Sequence, residues 1–267
     1  MPFPDSNIQR GSRYWWLASI PLMALLAIPI LVLVFRVQGR DFFDSLHSEE
    51  VLRPLALSLY SSSLATFLAV LLGTPVAYLL GRCKFRGRVL LEVLIELPTV
   101  LPPAVAGLAL LLTLGRRGPI GQILDNWGLD MAFTFKAVVI AQLFVAAPYF
   151  IKAASGSLAT VDHDLVEAAA LDGASSFRIF WHVLLPLSWR GFAGGLGLCW
   201  ARALGEFGAT VIFAGNSPGV SQTMPLAIYL GFETDYKIAI TLSVVMLVFS
   251  FGLLFLIRAA LEKQAKS

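Results

Sequence analysis

The sequence predicts an all-α membrane protein with about six transmembrane helices. Hydrophobic residues make up 57% of the chain and charged residues 14%, against about half and about a quarter in a soluble domain. The apolar residues are gathered into runs near the ~20 residues a helix needs to cross a bilayer. These runs are unbroken, whereas a β-barrel alternates apolar and polar residues along strands of about ten. Within lipid only helices and closed barrels satisfy every backbone group.

The runs fall at Trp15 to Phe35, Pro54 to Leu80, Leu90 to Leu114, Phe135 to Leu158, Phe192 to Phe213 and Ile238 to Ile257. The first follows Arg10 and Arg13 and ends in Phe35-Arg36-Val37 with no Ala-x-Ala site. It exceeds the apolar core of a secretory signal, roughly 7–15 residues, and is read as a retained helix. It is expected to be an appendage to a five-helix core that starts near Pro54. The expected organisation is residues 1–53 (tail, first helix, outer loop), 54–258 (membrane domain) and 259–267 (tail).

Net charge is +3, with a pI near 9.0, and its placement is informative as topology. Arg10 and Arg13, the loop from Arg82 to Arg88, the set Lys152, Arg178 and Arg190, and the C-terminal Arg258, Lys263 and Lys266 all fall on one side of six crossings. That side is expected to be cytoplasmic, with both termini. The opposing loops hold a thinner set: Arg40, Arg53, Arg116, Arg117, Lys136 and Lys237. No basic stripe with interleaved aromatics indicates nucleic acid.

Cys83 and Cys199 sit in unlike settings, a basic loop and an apolar run, and do not suggest a disulfide framework. His47, His163 and His182 are isolated, so no metal-ligand spacing exists. There is no Gly-x-Ser-x-Gly elbow and no phosphate-binding loop. No catalytic residue, metal or cofactor is expected in this chain.

The loop from Thr160 to Arg190 is too polar to insert. Asp162 or Asp164 is expected to cap a short helix there. Glu167, Ala168, Ala169, Ala170 and Leu171 favour the helix, and Gly173 ends it in the left-handed conformation. Ser175 or Ser176 caps a second segment, and Pro186 marks a bend. Phe177, Phe180, Trp181 and Leu184 recur at helical spacing, either against the protein's own helix ends and the lipid interface or as a partner surface.

Glu167-Ala168-Ala169, three residues, Gly173, nine residues, Val183, one residue and Leu185-Pro186 resemble the EAA loop of binding-protein-dependent ABC importers. The family pattern has Ile where this chain has Val183. The resemblance implies the type I importer permease fold from Pro54 to Arg258, in a bacterial cytoplasmic (inner) membrane. It implies that Glu167, Ala168, Ala169, Gly173, Leu185 and Pro186 couple the chain to a separate ABC ATPase subunit, which binds the ATP.

The third run contains Glu92, Glu96, Pro98, Thr99, Pro102 and Pro103, and a kink is expected. Either this helix lines the translocation path through Glu96, Pro98 and Thr99, or the kink is structural with the glutamates near the interface. The fifth run carries Gly197, Ala201, Gly205 and Ala209, a row of small residues suited to close packing. Arg202 and Glu206 lie beside it, either as a structural ion pair or with Arg202 meeting an anion.

Arg202 to Thr210, then Phe213-Ala214-Gly215-Asn216 and Gln222 to Tyr229, resemble the permease subunit of molybdate importers. Sulfate permeases share the Gly-Glu-Phe/Tyr-Gly portion, and tungstate permeases are near relatives. The implied cargo is a tetrahedral oxyanion delivered by an extracytoplasmic binding protein. A five-helix core is too small to enclose a gated path alone, so a homodimer in lipid is expected. A stand-alone channel or secondary transporter is the competing class. Such carriers often show internal repeats, and none is visible here.

Overall fold

The computed structural model describes residues 6–36 and 39–265. The side chains of Arg10, Arg13, Arg40, Arg258 and Lys263, and all of Lys266, which entered the charge argument, lie outside the described part.

The regular elements among the described residues are helical. Helix α1 spans Ser6–Phe35, α2 Gly39–Leu46, α3 Glu49–Arg82, α4 Arg88–Val100, α5 Pro103–Leu114, α6 Pro119–Asp125 and α7 Phe135–Ala159. Then follow α8 His163–Leu171, α9 Ser176–Ile179, α10 Leu185–Leu204, α11 Gly208–Phe213, α12 Met224–Thr234 and α13 Tyr236–Ala265. Four helices, α1, α3, α7 and α13, are long and apolar enough to cross a membrane. Helices α4 and α5 make a fifth span if taken together, although they meet at 113°.

The fifth run is where sequence and structure differ. Phe192 to Phe213 is not one helix. It divides between α10 and α11 at Gly205, Glu206 and Phe207. Arg190, Arg202 and several glycines also dilute the apolarity of α10. The expected core boundary at Pro54 lies inside α3, with Pro54 buried. Helix α1 buries none of its apolar window and meets α13.

Helix α7 is the hub, packed between α3 and α10. Small residues every fourth position on α3, namely Ala65, Ala69, Gly73 and Ala77, are all buried, and such rows let backbones approach closely. A Cβ on Gly73 would lie 3.0 Å from Ile151, and one on Gly81 2.8 Å from the carbonyl oxygen of Ser155. Both positions rise together, so α3 and α7 run parallel. A Cβ on Gly191 would meet the Ser157 side chain at 2.1 Å, and one on Gly195 would meet Ala153 at 2.9 Å. Here one position falls as the other rises, so α10 runs antiparallel to α7. Ser157 Oγ donates to the Ser188 carbonyl at 2.9 Å across that contact.

Two further clusters complete the body. Ala106 and Leu110 of α5 join Ala209 and Phe213 of α11 against Val138 and Ala141 of α7. Val51, Leu204, Met224 and Leu242 gather the start of α3 with α10, α12 and α13.

Candidate functional site

The connection between α7 and α10 forms the helix that its residues predict. The Asp162 carboxylate accepts the Asp164 N–H at 3.1 Å and caps α8. At the other end the Gly173 N–H donates to the Ala170 carbonyl, and the Ala174 N–H to the Ala169 carbonyl, both at 3.0 Å. This paired closure needs a left-handed residue, and Gly173 has φ +81°. Ser175 Oγ accepts the Arg178 N–H and starts α9.

Pro186 does not interrupt the helix. Residues Phe180–Leu184 form one π-turn, and the Leu185 N–H donates to the Phe180 carbonyl. A π-turn widens the helix by one residue, and the chain passes through Pro186 at the start of α10 without a break.

The aromatic stripe divides between two directions. Leu184 is buried, and Phe180 meets Tyr78 edge-on with ring centroids 6.1 Å apart. Phe177 and Trp181 face outward, 6.1 Å apart. Of α8, Val166 and Ala169 pack against the core, while Glu167, Ala168 and Ala170 are exposed. Leu171 is 89% exposed. Together with Leu165, Phe177 and Trp181 it makes an apolar patch that no other described residue covers.

The charged side chains singled out in the third and fifth runs are paired. Arg202 Nη1 lies 2.7 Å from Glu206 Oε2. This is an ion pair without a well-directed hydrogen bond, since Oε2 has no hydrogen-bond partner. Glu206 is buried, and its Oε1 accepts the Ala209 N–H at 2.8 Å, at the start of α11. Its carboxylate therefore supplies the acceptor on which α11 begins after the break. Glu96 pairs with Lys152 of α7 at 2.8 Å, and Glu92 pairs with Arg88 on its own helix. The Thr99 hydroxyl donates to the Glu96 carbonyl, and Pro98 faces a groove lined by α3 and α7.

The family described as binding-protein-dependent transport system inner membrane component matches residues 69–266. The chain belongs to that family. As an inner membrane transport component it resembles the molybdenum transport system permease protein ModB of Mycobacterium tuberculosis, with 41% identity over 88% of this chain and 89% of that one. It also resembles the probable sulfate transport system permease protein cysT of Chlorokybus atmophyticus, with 34% identity over 90% of this chain and 86% of that one. Among solved structures, the bacterial alginate ABC transporter in complex with alginate pentasaccharide-bound periplasmic protein has a chain of the same fold. Its TM-score is 0.73 at 17% identity, with 95% of each chain covered. The type I importer permease fold follows.

In this transport component the residues singled out by sequence do not converge on one point. Glu167, Ala168 and Gly173 are exposed around α8, whereas Ala169 and Leu185 turn toward the core and Pro186 is exposed at the start of α10. Glu96 and the Arg202–Glu206 pair lie on separate helix pairs. The row Gly197, Ala201, Gly205, Ala209 is interrupted. Gly197 faces Ile257, Gly205 ends α10, and Ala209 packs on Gly107 of α5. Sequence reasoning missed Lys152 as the partner of Glu96. It also missed Gln142, a fully buried amide in α7 whose Oε1 and Nε2 have no partner among the described residues. A lone Gln inside the fourth apolar run was the available signal.

Proposed function

We propose that this chain is the membrane-spanning permease of an ATP-driven importer that moves molybdate across the cytoplasmic membrane. Two copies surround a path on their common axis, two ABC ATPases bind from the cytoplasm, and an extracytoplasmic oxyanion-binding protein delivers the cargo. The chain itself hydrolyses nothing, and the ATP is bound by the partner. Both termini lie in the cytoplasm.

The observation that carries the reading is the α8–α9 loop. A capped helix, packed on the core through Val166 and Ala169, presents Leu165, Leu171, Phe177 and Trp181 outward. Exposed apolar patches rimmed by polar residues mark protein interaction sites. Glu167, Ala168 and Gly173 sit at its rim, and the small alanines let an ATPase groove approach closely. Ala169, Leu185 and Pro186 then act from within, by holding the loop's shape. ATPase closure shifts this loop and, with it, the balance between the two states of the path.

The cargo follows from the 41% identity to the molybdenum permease. The 34% identity to the sulfate permease keeps sulfate as the second reading, with tungstate beside it. Glu96, Pro98, Thr99, Arg202 and Glu206 act as gate elements. The internal pairing of Arg202 favours a structural role for it over direct contact with the anion.

The test is uptake in proteoliposomes holding this chain, its ATPase and its binding protein, with labelled molybdate or sulfate. ATP-dependent molybdate uptake that excess sulfate barely inhibits is expected. Uptake without ATP would overturn the ATP-driven assignment, and ATP-dependent uptake of sulfate alone would change the cargo.

A further inference from the structure

We infer that Arg82 is a positioning residue for coupling, which ties the junction of α7 and α8 to the last turn of α3 so that a shift of α8 moves α3 with it. The inference rests on the transport reading above.

Arg82 Nη1 donates to the Leu158 carbonyl at 3.3 Å and to the Val161 carbonyl at 2.8 Å. Leu158 is in the last turn of α7, at the negative end of the helix dipole, and its carbonyl accepts the Val161 N–H at 3.3 Å as well as Arg82. Val161 directly precedes Asp162, the cap of α8. One cationic nitrogen thus holds the end of one helix and the approach to the next.

The neighbouring contacts leave little slack. A Cβ on Gly81 would lie 2.8 Å from the Ser155 carbonyl oxygen, so α3 and α7 touch through backbone at this level. One turn earlier, Tyr78 meets Phe180 on the far arm of the same loop. The last two turns of α3 therefore contact both arms of the α7–α10 connection. Toward the other end of this 34-residue helix, the buried Ser58 Oγ accepts the Met224 N–H at 2.6 Å, at the start of α12. Helix α3 is a strut from the loop to α12. The apolar contacts that Val166 and Ala169 of α8 make with the core are non-directional. They can slide, whereas a charge-assisted hydrogen bond fixes position.

The test uses the complete complex in proteoliposomes and reads oxyanion imported per ATP hydrolysed. Arg82→Ala should lower that ratio about tenfold, the scale of one lost charged hydrogen bond, with ATP hydrolysis retained. Arg82→Lys keeps the charge and a donor, and should recover most of the ratio. Should Arg82→Ala fail to assemble, Arg82→Gln, which keeps a donor without the charge, gives the same reading in milder form. An unchanged ratio in either variant would overturn the inference. So would an equal fall in transport and hydrolysis, the signature of a cap that only stabilises α7. A parent complex without ATP-dependent uptake would overturn the transport reading itself, and this inference with it.

Discussion

Helices α7 and α4 each contain a proline, and the two prolines have opposite consequences. Helix α7 runs from Phe135 to Ala159 straight through a buried Pro148. Helix α4 ends at Val100, two residues beyond Pro98, and the chain turns 113° into α5. Each of these prolines removes one hydrogen bond from its own helix. The difference lies downstream and around. Pro102 and Pro103 remove the next donors in line, and the residue before a proline is pushed out of the helical region. Leu101 and Pro102 accordingly have ψ of 137° and 132°. Helix α7 is also enclosed by α3 and α10, while α4 lays Leu91 and Ile95 against the core and fully buries none of its residues. A single proline is absorbed by a helix that its neighbours hold. A cluster on a lightly held helix makes a joint. The molecule thus has a packed hub in α7 and lighter segments that can move against it.

The sharpest way to break that contrast is to overfill the hub. The Cβ of a side chain at Gly191 would come 2.1 Å from Ser157 Cβ and 2.9 Å from the Ala153 carbonyl oxygen. Neither is the yielding tip of a long side chain. Gly191→Leu should destabilise the protein by about 3 kcal/mol, read as a lowered midpoint of thermal unfolding in detergent. An unchanged midpoint would mean that α10 slides freely on α7, and the hub would lose its special status.

A smaller effect on stability, with a larger one on transport, is expected where the α8 loop leaves the hub. A Cβ on Gly173 meets nothing within 4 Å, so the obstacle there is the backbone, at φ +81°. A β-branched residue in that conformation costs about 1–2 kcal/mol, and the end of α8 rearranges instead of the hub. Gly173→Val should insert and melt much as the parent does, yet lose most ATP-dependent uptake. Gly173→Asn, which tolerates the left-handed conformation, should restore much of it. Normal transport by Gly173→Val would sink the coupling assignment.

Legibility in the sequence followed the range of the interaction. Asp162 capping α8 and Gly173 closing it are contacts within a few residues, and both were readable. The break at Gly205–Phe207 was not, because no proline marks it. It depends on the Glu206 carboxylate being buried where it takes the Ala209 N–H. The π-turn at Phe180–Leu184 was hidden for a related reason, since a proline at the start of α10 fits a bend and a continuous helix equally well. Arg82 reads locally as one more basic loop residue, and its acceptors lie 76 and 79 positions away. Glu96 and Lys152 are joined only once α4 lies beside α7. Sequence periodicity identifies which segments are helices. It does not identify which distant carbonyl a guanidinium will find.

The smallest expected effect lies at the other end of α7, in the segment that leads into Phe135. Arg116 Nε and Nη2 hold the Asp130 carboxylate at 3.0 and 2.7 Å. The hydrogen bond from Arg116 keeps the Asp130 carboxyl below its usual range. A depressed carboxyl contributes stability above its unfolded value, about 3.9, and loses it as pH falls through the lower folded value. The pair is exposed, so its contribution is slight and screened by salt. The start of α7 also keeps two other holds, the Thr134 side chain on the Ala137 N–H and the Phe133 N–H on the Phe213 carbonyl. Asp130→Asn should therefore lower the unfolding midpoint slightly at neutral pH and low salt. The gap from the parent should close on acidification below the ordinary carboxylate range, and on addition of salt. A gap as large as that of Gly191→Leu, or one indifferent to pH, would mean that this end of α7 is as rigidly built as its middle, and the hub would have to be drawn to include it.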